Sequence, residues 1–281
     1  MPKISYLLIE HPESFGSFGD FSAALIRLKE LGYQGVEILM TEPLGFDVDA
    51  LLRFVDSIEL PVVSLLTGDN YSRDGLCLSS PDADVRRRAV ERLQLCIETA
   101  SRFEAIIVVG LMQGVLRDEP DPSIANTRIA ECLKQVAAVA EKHGTTIVLE
   151  PVNHLQVGFN NTFSEVMAMI QRVGSAYFKP MLDSIHMNIE EVSVIEPIHA
   201  AGSDLRHFHL CESNGSFLGS GHLDIPGMFA ALDEIRYSGF VSVKVYRHPW
   251  ETAATRTMEH LSAFNLPTAI RRTTDPMRSG T

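Results

Sequence analysis

The sequence is short of cysteine, of positive charge and of long apolar runs. Its 281 residues hold four cysteines, Cys77, Cys96, Cys132 and Cys211, none of them in C-x-x-C spacing. This excludes a zinc ribbon and a dense disulfide framework, and it fits reduced thiols in a cytoplasmic protein. Lys and Arg number 24 against 36 Asp and Glu, a net charge of −12. A nucleic-acid surface needs clustered basic residues. The one basic run, Arg86–Arg88, falls inside an amphipathic helical pattern and reads as a solvated face. No apolar stretch is long enough to cross a bilayer. The N-terminal MPKISYLLIE enters a strand pattern directly, without a signal-peptide pattern. Nucleic-acid and membrane partners are therefore not expected.

What is present is alternation. Short β-rich runs near 3–9, 35–39, 61–66, 105–110, 145–150, 178–183, 206–210 and 241–246 are separated by helical patterns near 19–31, 47–58, 82–102, 123–143, 162–173, 190–201, 226–237 and 252–263. Eight such alternations predict an α/β chain folded as a single (β/α)8 barrel over residues 1–266, with a loose polar tail at 267–281. The rival, an open doubly wound sheet binding a dinucleotide, calls for a glycine-rich phosphate turn after the first strand. The segment there, IEHPESFGSFGD, lacks that fingerprint. Gly32, Gly144 and Gly239 are expected to close helices, and Asp20, Asp82 and Ser123 to lie at or near helix caps. The long connections 67–81 and 111–122 follow strands, so in a barrel they overhang the open mouth.

Four apolar strands of the second half end on ionisable residues: IVLE at Glu150, PMLD at Asp183, HFH at His209 and VSVK at Lys244. They lie 26 to 35 residues apart, one strand–helix unit each. A parallel barrel gathers such residues at the carboxyl ends of its strands. Two carboxylates and an imidazole suit a divalent metal; the lysine is the anomaly, a cation where a further carboxylate would complete the set. Alternation in VSVKVYR puts Ser242, Lys244 and Tyr246 on one face and the valines on the other. Each position taken alone has an ordinary reading too. Glu150 could be a plain strand-end glutamate, Asp183 a cap for a helix after residue 188, and His186 a hydrogen-bonded scaffold histidine. Of His207 and His209 only one need be a ligand. Cys211 reads as a small buried filler. Glu212 and His222 sit on the glycine-containing loop CESNGSFLGSGHLD.

Three stretches, LEPVNH at 149–154, LDSIHMNIEE at 182–191 and HFHLCESNGSFLGSGHLDIPG at 207–227, carry a resemblance. Over residues 4–263 the chain resembles the xylose isomerase-like barrels of sugar isomerases and epimerases, nearest the D-tagatose/D-psicose 3-epimerases. The resemblance implies Glu150 as a metal ligand that also moves a substrate proton, and Asp183 and His209 as metal ligands. It implies a substrate hydroxyl contact for His186 and Mn2+, Mg2+ or Co2+ as the ion; Glu212 and His222, from their loop, and Gln156 are further expected on the substrate side. The ion would polarise a ketose carbonyl and ease removal of the neighbouring proton. It also implies a dimer or tetramer as the assembly.

The chain departs from that pattern in three places. The second catalytic glutamate of the family falls on Lys244. Its N-R-x-E segment falls on Asn153, His154, Leu155 and Gln156, and its substrate-binding arginine on Gly215. A 3-epimerase needs a proton-handling group on each face of the enediolate. The leading expectation is therefore an isomerase or epimerase of a polyhydroxylated carbonyl compound, with Glu150 and Lys244 as its catalytic pair. A lyase on the same scaffold is the alternative, by dehydration or carbon-glycoside cleavage. A non-catalytic sugar-binding or partner subunit is a third. For Lys244 two readings stand open, an acid or base of the reaction, or a charge that neutralises Glu150 and Asp183 in place of a metal.

Overall fold

The structure is a computed structural model, and it describes residues 2–10, 12–41 and 47–263. The tail at 267–281 and the end of the expected barrel segment lie outside the described residues. Eight strands close into a parallel barrel in sequence order: β1 (Lys3–Leu8), β2 (Gly35–Leu39), β3 (Val62–Leu66), β4 (Ile106–Val109), β5 (Ile147–Leu149), β6 (Phe178–Asp183), β7 (His207–Leu210) and β8 (Phe240–Val243). β1 closes the ring on β8, with Lys3 opposite Phe240 and Tyr6 opposite Val243. The helices are α1 (Phe18–Glu30), α2 (Val48–Ser57), α3 (Asp69–Asp74), α4 (Ala83–Arg102), α5 (Pro122–His143), α6 (Phe163–Val173), α7 (Ser184–Glu190), α8 (Glu196–Ala201), α9 (Ile225–Glu234) and α10 (Trp250–Ala263). This is the single TIM barrel that the alternation predicts.

Strand alternation splits the core in two. Outward residues such as Ile38, Leu65, Ile107, Leu149, Phe208 and Val241 pack with the helices into one large cluster. Inward residues Leu7, Leu66, Ile106, Val108, Val148 and Met181 form a second cluster inside the ring. The inward positions of β2, β7 and β8 instead carry Glu37, His207, His209 and Ser242, all buried. The barrel interior is thus apolar on one side and ionisable on the other.

Helix α5 shows how local chemistry sets the elements. Asp121 caps it by accepting from the N–H groups of Ser123 and Ile124, Pro122 stands at its start, and Gly144 ends it at φ 67°. Its buried Ala125, Ile129, Leu133, Val136 and Ala140 recur every three to four residues and face the barrel. Asp82 caps α4 as expected. Asp20 and Ser123 sit inside first turns whose caps are Ser17 and Asp121.

Two expectations are corrected. The helix expected at 190–201 is only α8 (Glu196–Ala201), and a separate helix, α7 (Ser184–Glu190), precedes it. Asp183 Oδ1 accepts from Ile185 N at 3.0 Å and starts α7 at the very end of β6. Glu191 then turns extended, its carboxylate accepting from Phe163 N at 2.7 Å, and Ser193 caps the next turn. Gly239 closes no helix: α9 ends at Glu234, and the left-handed residue after it is Arg236, φ 57°.

Candidate active site

Glu150 follows β5, held by its N–H on the Val109 carbonyl at 2.9 Å, and Lys244 follows β8, held on Leu210 at 3.0 Å. Asp183 ends β6, and the register sets it beside His209 and His209 beside Ser242. The four side chains from these strand ends converge. Lys244 Nζ donates to Glu150 Oε1 at 3.1 Å and to Asp183 Oδ2 at 3.0 Å. His209 Nδ1 lies 3.0 Å from the same Glu150 oxygen and 3.4 Å from the same Asp183 oxygen. Asp183 and His209 are 0% exposed, Glu150 5% and Lys244 6%.

Sequence reasoning missed Glu37, on β2. Its Oε2 lies 3.0 Å from His209 Nε2, and its Oε1 accepts from Ser242 Oγ at 2.6 Å and meets His207 Nε2. His207 and His209 do share one face, and both turn to this one carboxylate. The available signal was a lone carboxylate in the apolar strand GVEIL, since an inward charge in such a strand needs a partner.

Burial alone would neutralise all of these groups; proximity reverses that. Burial raises the Glu150 carboxyl, but Lys244 and His209 outweigh it and bring it down to about 2. Asp183, also penalised by burial, is held well below the ordinary range by Lys244, His186 and His209. Glu37 is held low against its burial by His207 and His209. Burial lowers Lys244 and His209, yet Asp183 and Glu150 hold the ammonium well above its ordinary value, and Glu37 does the same for the imidazole.

His186 stands on α7, 3.8 Å from Glu150 Oε1 and 3.7 Å from Asp183 Oδ2. Asn153 Nδ2 meets its Nδ1 at 2.7 Å. An amide nitrogen only donates, so neutral His186 carries its proton on Nε2, toward the carboxylates. Burial pushes its pKa down, against the pull of Asp183. Asp183 has both oxygens engaged: Oδ1 caps α7, which starts at Ser184 rather than after 188, and Oδ2 accepts from Lys244.

Of these groups, Glu150, His186 and Lys244 line a cavity of about 220 Å³. Glu150, His186, Lys244, Tyr246 and the exposed rim residue Gln156 line one side; Leu7, Leu39, Leu66 and Val108 line the other. Thr67, Gly68 and Leu111 bring the two long connections to its rim. Glu212 and His222, expected on the substrate side, are not among its described lining residues. The buried Glu212 carboxylate accepts from the N–H groups of Ser213, Gly219 and Leu223 and organises its own loop. His222, exposed, bonds Ser213 Oγ at 3.1 Å. At Gly215, where the resemblance calls for an arginine, a Cβ would meet Tyr246 Cδ2 at 3.3 Å. Cys211 is the buried filler expected.

Two groups, Glu150–Asp183–His186 and Glu37–His207–His209, bring their ligand atoms within 4.8 Å of one another and could hold a metal ion. The expected set, Glu150, Asp183 and His209, does not fit one as arranged. The two oxygens that would face the ion both accept from the Lys244 ammonium, and an ammonium has no lone pair to offer. His209 presents both nitrogens to carboxylate oxygens, which only accept. A divalent ion would require Lys244 to withdraw and His209 to give up a proton.

Comparison with known proteins fits this geometry. The family model described as "Xylose isomerase-like TIM barrel" matches residues 25–264. An L-ribulose 3-epimerase of Mesorhizobium japonicum is 29% identical over 231 residues, 81% of this chain and 76% of that one. A 3-dehydro-D-guloside 4-epimerase of Escherichia coli is 30% identical over 223 residues, 76% of this chain and 82% of that one. A solved structure of an L-ribulose 3-epimerase superposes with a TM-score of 0.81 at 24% identity, covering 98% of this chain and all of that one. Among the described residues no helix is long and apolar enough to cross a membrane. The chain belongs to the xylose isomerase-like TIM barrel family and is an enzyme of its isomerase and epimerase kind.

Proposed function

We propose that the protein epimerises a sugar or sugar-like ketone by removing and returning a proton beside the carbonyl, with Glu150 and Lys244 as the catalytic pair. The observation that carries this reading is the direct contact of the two at 3.1 Å at the floor of the cavity both line. Glu150, ionised, takes the proton: the C–H bond breaks, its electron pair forms the C=C bond of an enediolate, and the carbonyl π pair moves onto oxygen. The Lys244 ammonium stabilises that oxygen's negative charge. The substrate parts this ion pair on entry, so that Lys244 protonates the carbon from the other face; when the product leaves, the 3.1 Å contact re-forms and the captured proton passes from Glu150 to the lysine, resetting the pair. His186, its Nε2–H toward the cavity, donates to a substrate oxygen, and Gln156 does so at the rim. Three donors such as Glu150, Asp183 and His209 suit Mn2+, Mg2+ or Co2+ once Lys244 is displaced, and no step here passes through an ion. Four buried free thiols suit the cytoplasm.

Proton exchange supplies the test. Candidate ketoses and keto-glycosides are incubated with the enzyme in D2O, and products are resolved by chiral chromatography and mass spectrometry. One solvent deuteron at the inverted carbon is expected, together with loss of turnover by about 10²–10⁴-fold in Glu150→Gln. Epimerised product without solvent label, or an unsaturated elimination product in its place, would reject the reading.

A further inference from the structure

The polar half of the barrel floor has its own charge balance. Three carboxylates, Glu37, Glu150 and Asp183, are buried there among Lys244 and three histidines, His186, His207 and His209, of which Lys244 and His209 each bridge two carboxylates. Lys244 Nζ bridges Glu150 Oε1 and Asp183 Oδ2 at 3.1 and 3.0 Å, and His209 bridges Glu37 and Glu150 at 3.0 Å on each nitrogen. The Lys244 ammonium thus supplies positive charge at the two carboxylate oxygens that would face an ion.

We infer that Lys244 takes the place of a divalent ion in this barrel, and that the protein folds without a metal.

Three features carry the inference. The ammonium sits on the two oxygens an incoming ion would need, so ion and ammonium compete for one place. Lys244 is fixed from both ends, by its backbone N–H on Leu210 and by its two carboxylates, with the Tyr246 ring 5.4 Å from Nζ. Its three N–H groups are engaged by Glu150, Asp183 and the Tyr246 side chain at the wall of the cavity that Lys244 lines, so the ammonium is held where an ion would sit. This holds whether or not the proposed reaction does.

The test reads metal directly. Protein is produced in Mn2+- and Zn2+-supplemented medium, purified without chelator, analysed for metals and melted with and without EDTA; wild type and Lys244→Glu are then titrated calorimetrically with Mn2+. Well under one equivalent of metal in wild type, a melting temperature indifferent to EDTA, and a new one-per-chain Mn2+ site in Lys244→Glu are expected. Stoichiometric metal in wild type overturns the inference, as does a melting temperature that falls with EDTA and recovers with Mn2+. A folded Lys244→Glu that binds no Mn2+ overturns it too. If that variant does not fold, the wild-type metal content and melts decide alone. Metal-free wild type without epimerase activity would reject the proposed function and leave this inference standing.

Discussion

Glu37 on β2 and His209 on β7 meet across the inside of the barrel, carboxylate oxygen to Nε2, at 3.0 Å. Neither is exposed, and each is the other's charge partner. Removing one member of a buried pair strands the other, at a cost of about 3–5 kcal/mol. Glu37→Gln keeps the shape and loses the charge, so a stability loss of that order is expected in urea unfolding. Because His209 also contacts Glu150, turnover should fall as well. A variant as stable as wild type would show that this pair does not organise the floor.

The sequence made the barrel legible because eight apolar runs alternate with amphipathic ones, and it made the site legible because the four strand-end residues fall one unit apart. Glu37 was hidden for a physical reason: it lies mid-strand rather than at a rim, and only closure of β2 onto the far side of the ring puts it under His209. The short helix α7 was hidden because its start depends on a carboxylate of the site doubling as a cap. At Glu212 the sequence showed a carboxylate on a glycine-containing loop but not the three N–H groups of that loop that hold it.

Acid sensitivity follows from the Lys244 contacts. Glu150 titrates at about 2 against an ordinary 4.5, and Asp183 also lies well below its usual range. Depressed carboxyls give stability that is present above their unfolded values and lost as pH falls through the folded ones. Lys244, raised above 10.5, gives stability present below that pH and lost as pH climbs through its folded value. Wild type should therefore hold its melting temperature at neutral pH and lose it between about 4.5 and 2. Lys244→Met should begin to lose it at higher pH, because two buried carboxylates then lack their main cation. Melts across pH 2–7 check this (the range brackets the carboxyl values above), and superimposable acid limbs would refute it.

Asn153 sets the tautomer of His186 through its 2.7 Å contact with Nδ1. Asn153→Leu leaves that buried nitrogen without a partner, at about 1–3 kcal/mol. If His186 Nε2–H serves to hold substrate, KM should rise by more than kcat falls. Steady-state kinetics on the substrate found by deuterium exchange decide it; an unchanged KM would remove His186 from binding.

Gly110, just past β4, lies close against the Glu150 carboxylate, the proposed base. A Cβ there would come within 2.5 Å of Glu150 Oε2 and 3.3 Å of Val152 Cγ2. Oε2 has little freedom to yield, because Oε1 of the same carboxylate is held by Lys244 and His209. Gly110→Ala should therefore swing the carboxylate off its place while the barrel around it stays folded. A misplacement of roughly 1 Å at a reacting group can cost about 10²-fold in rate. The expected result is a kcat lower by about that factor, with a circular dichroism spectrum like wild type and a melting temperature only slightly lower. Full activity in Gly110→Ala would mean that the position of Oε2 does not matter, and the proton would then have to be taken by another group.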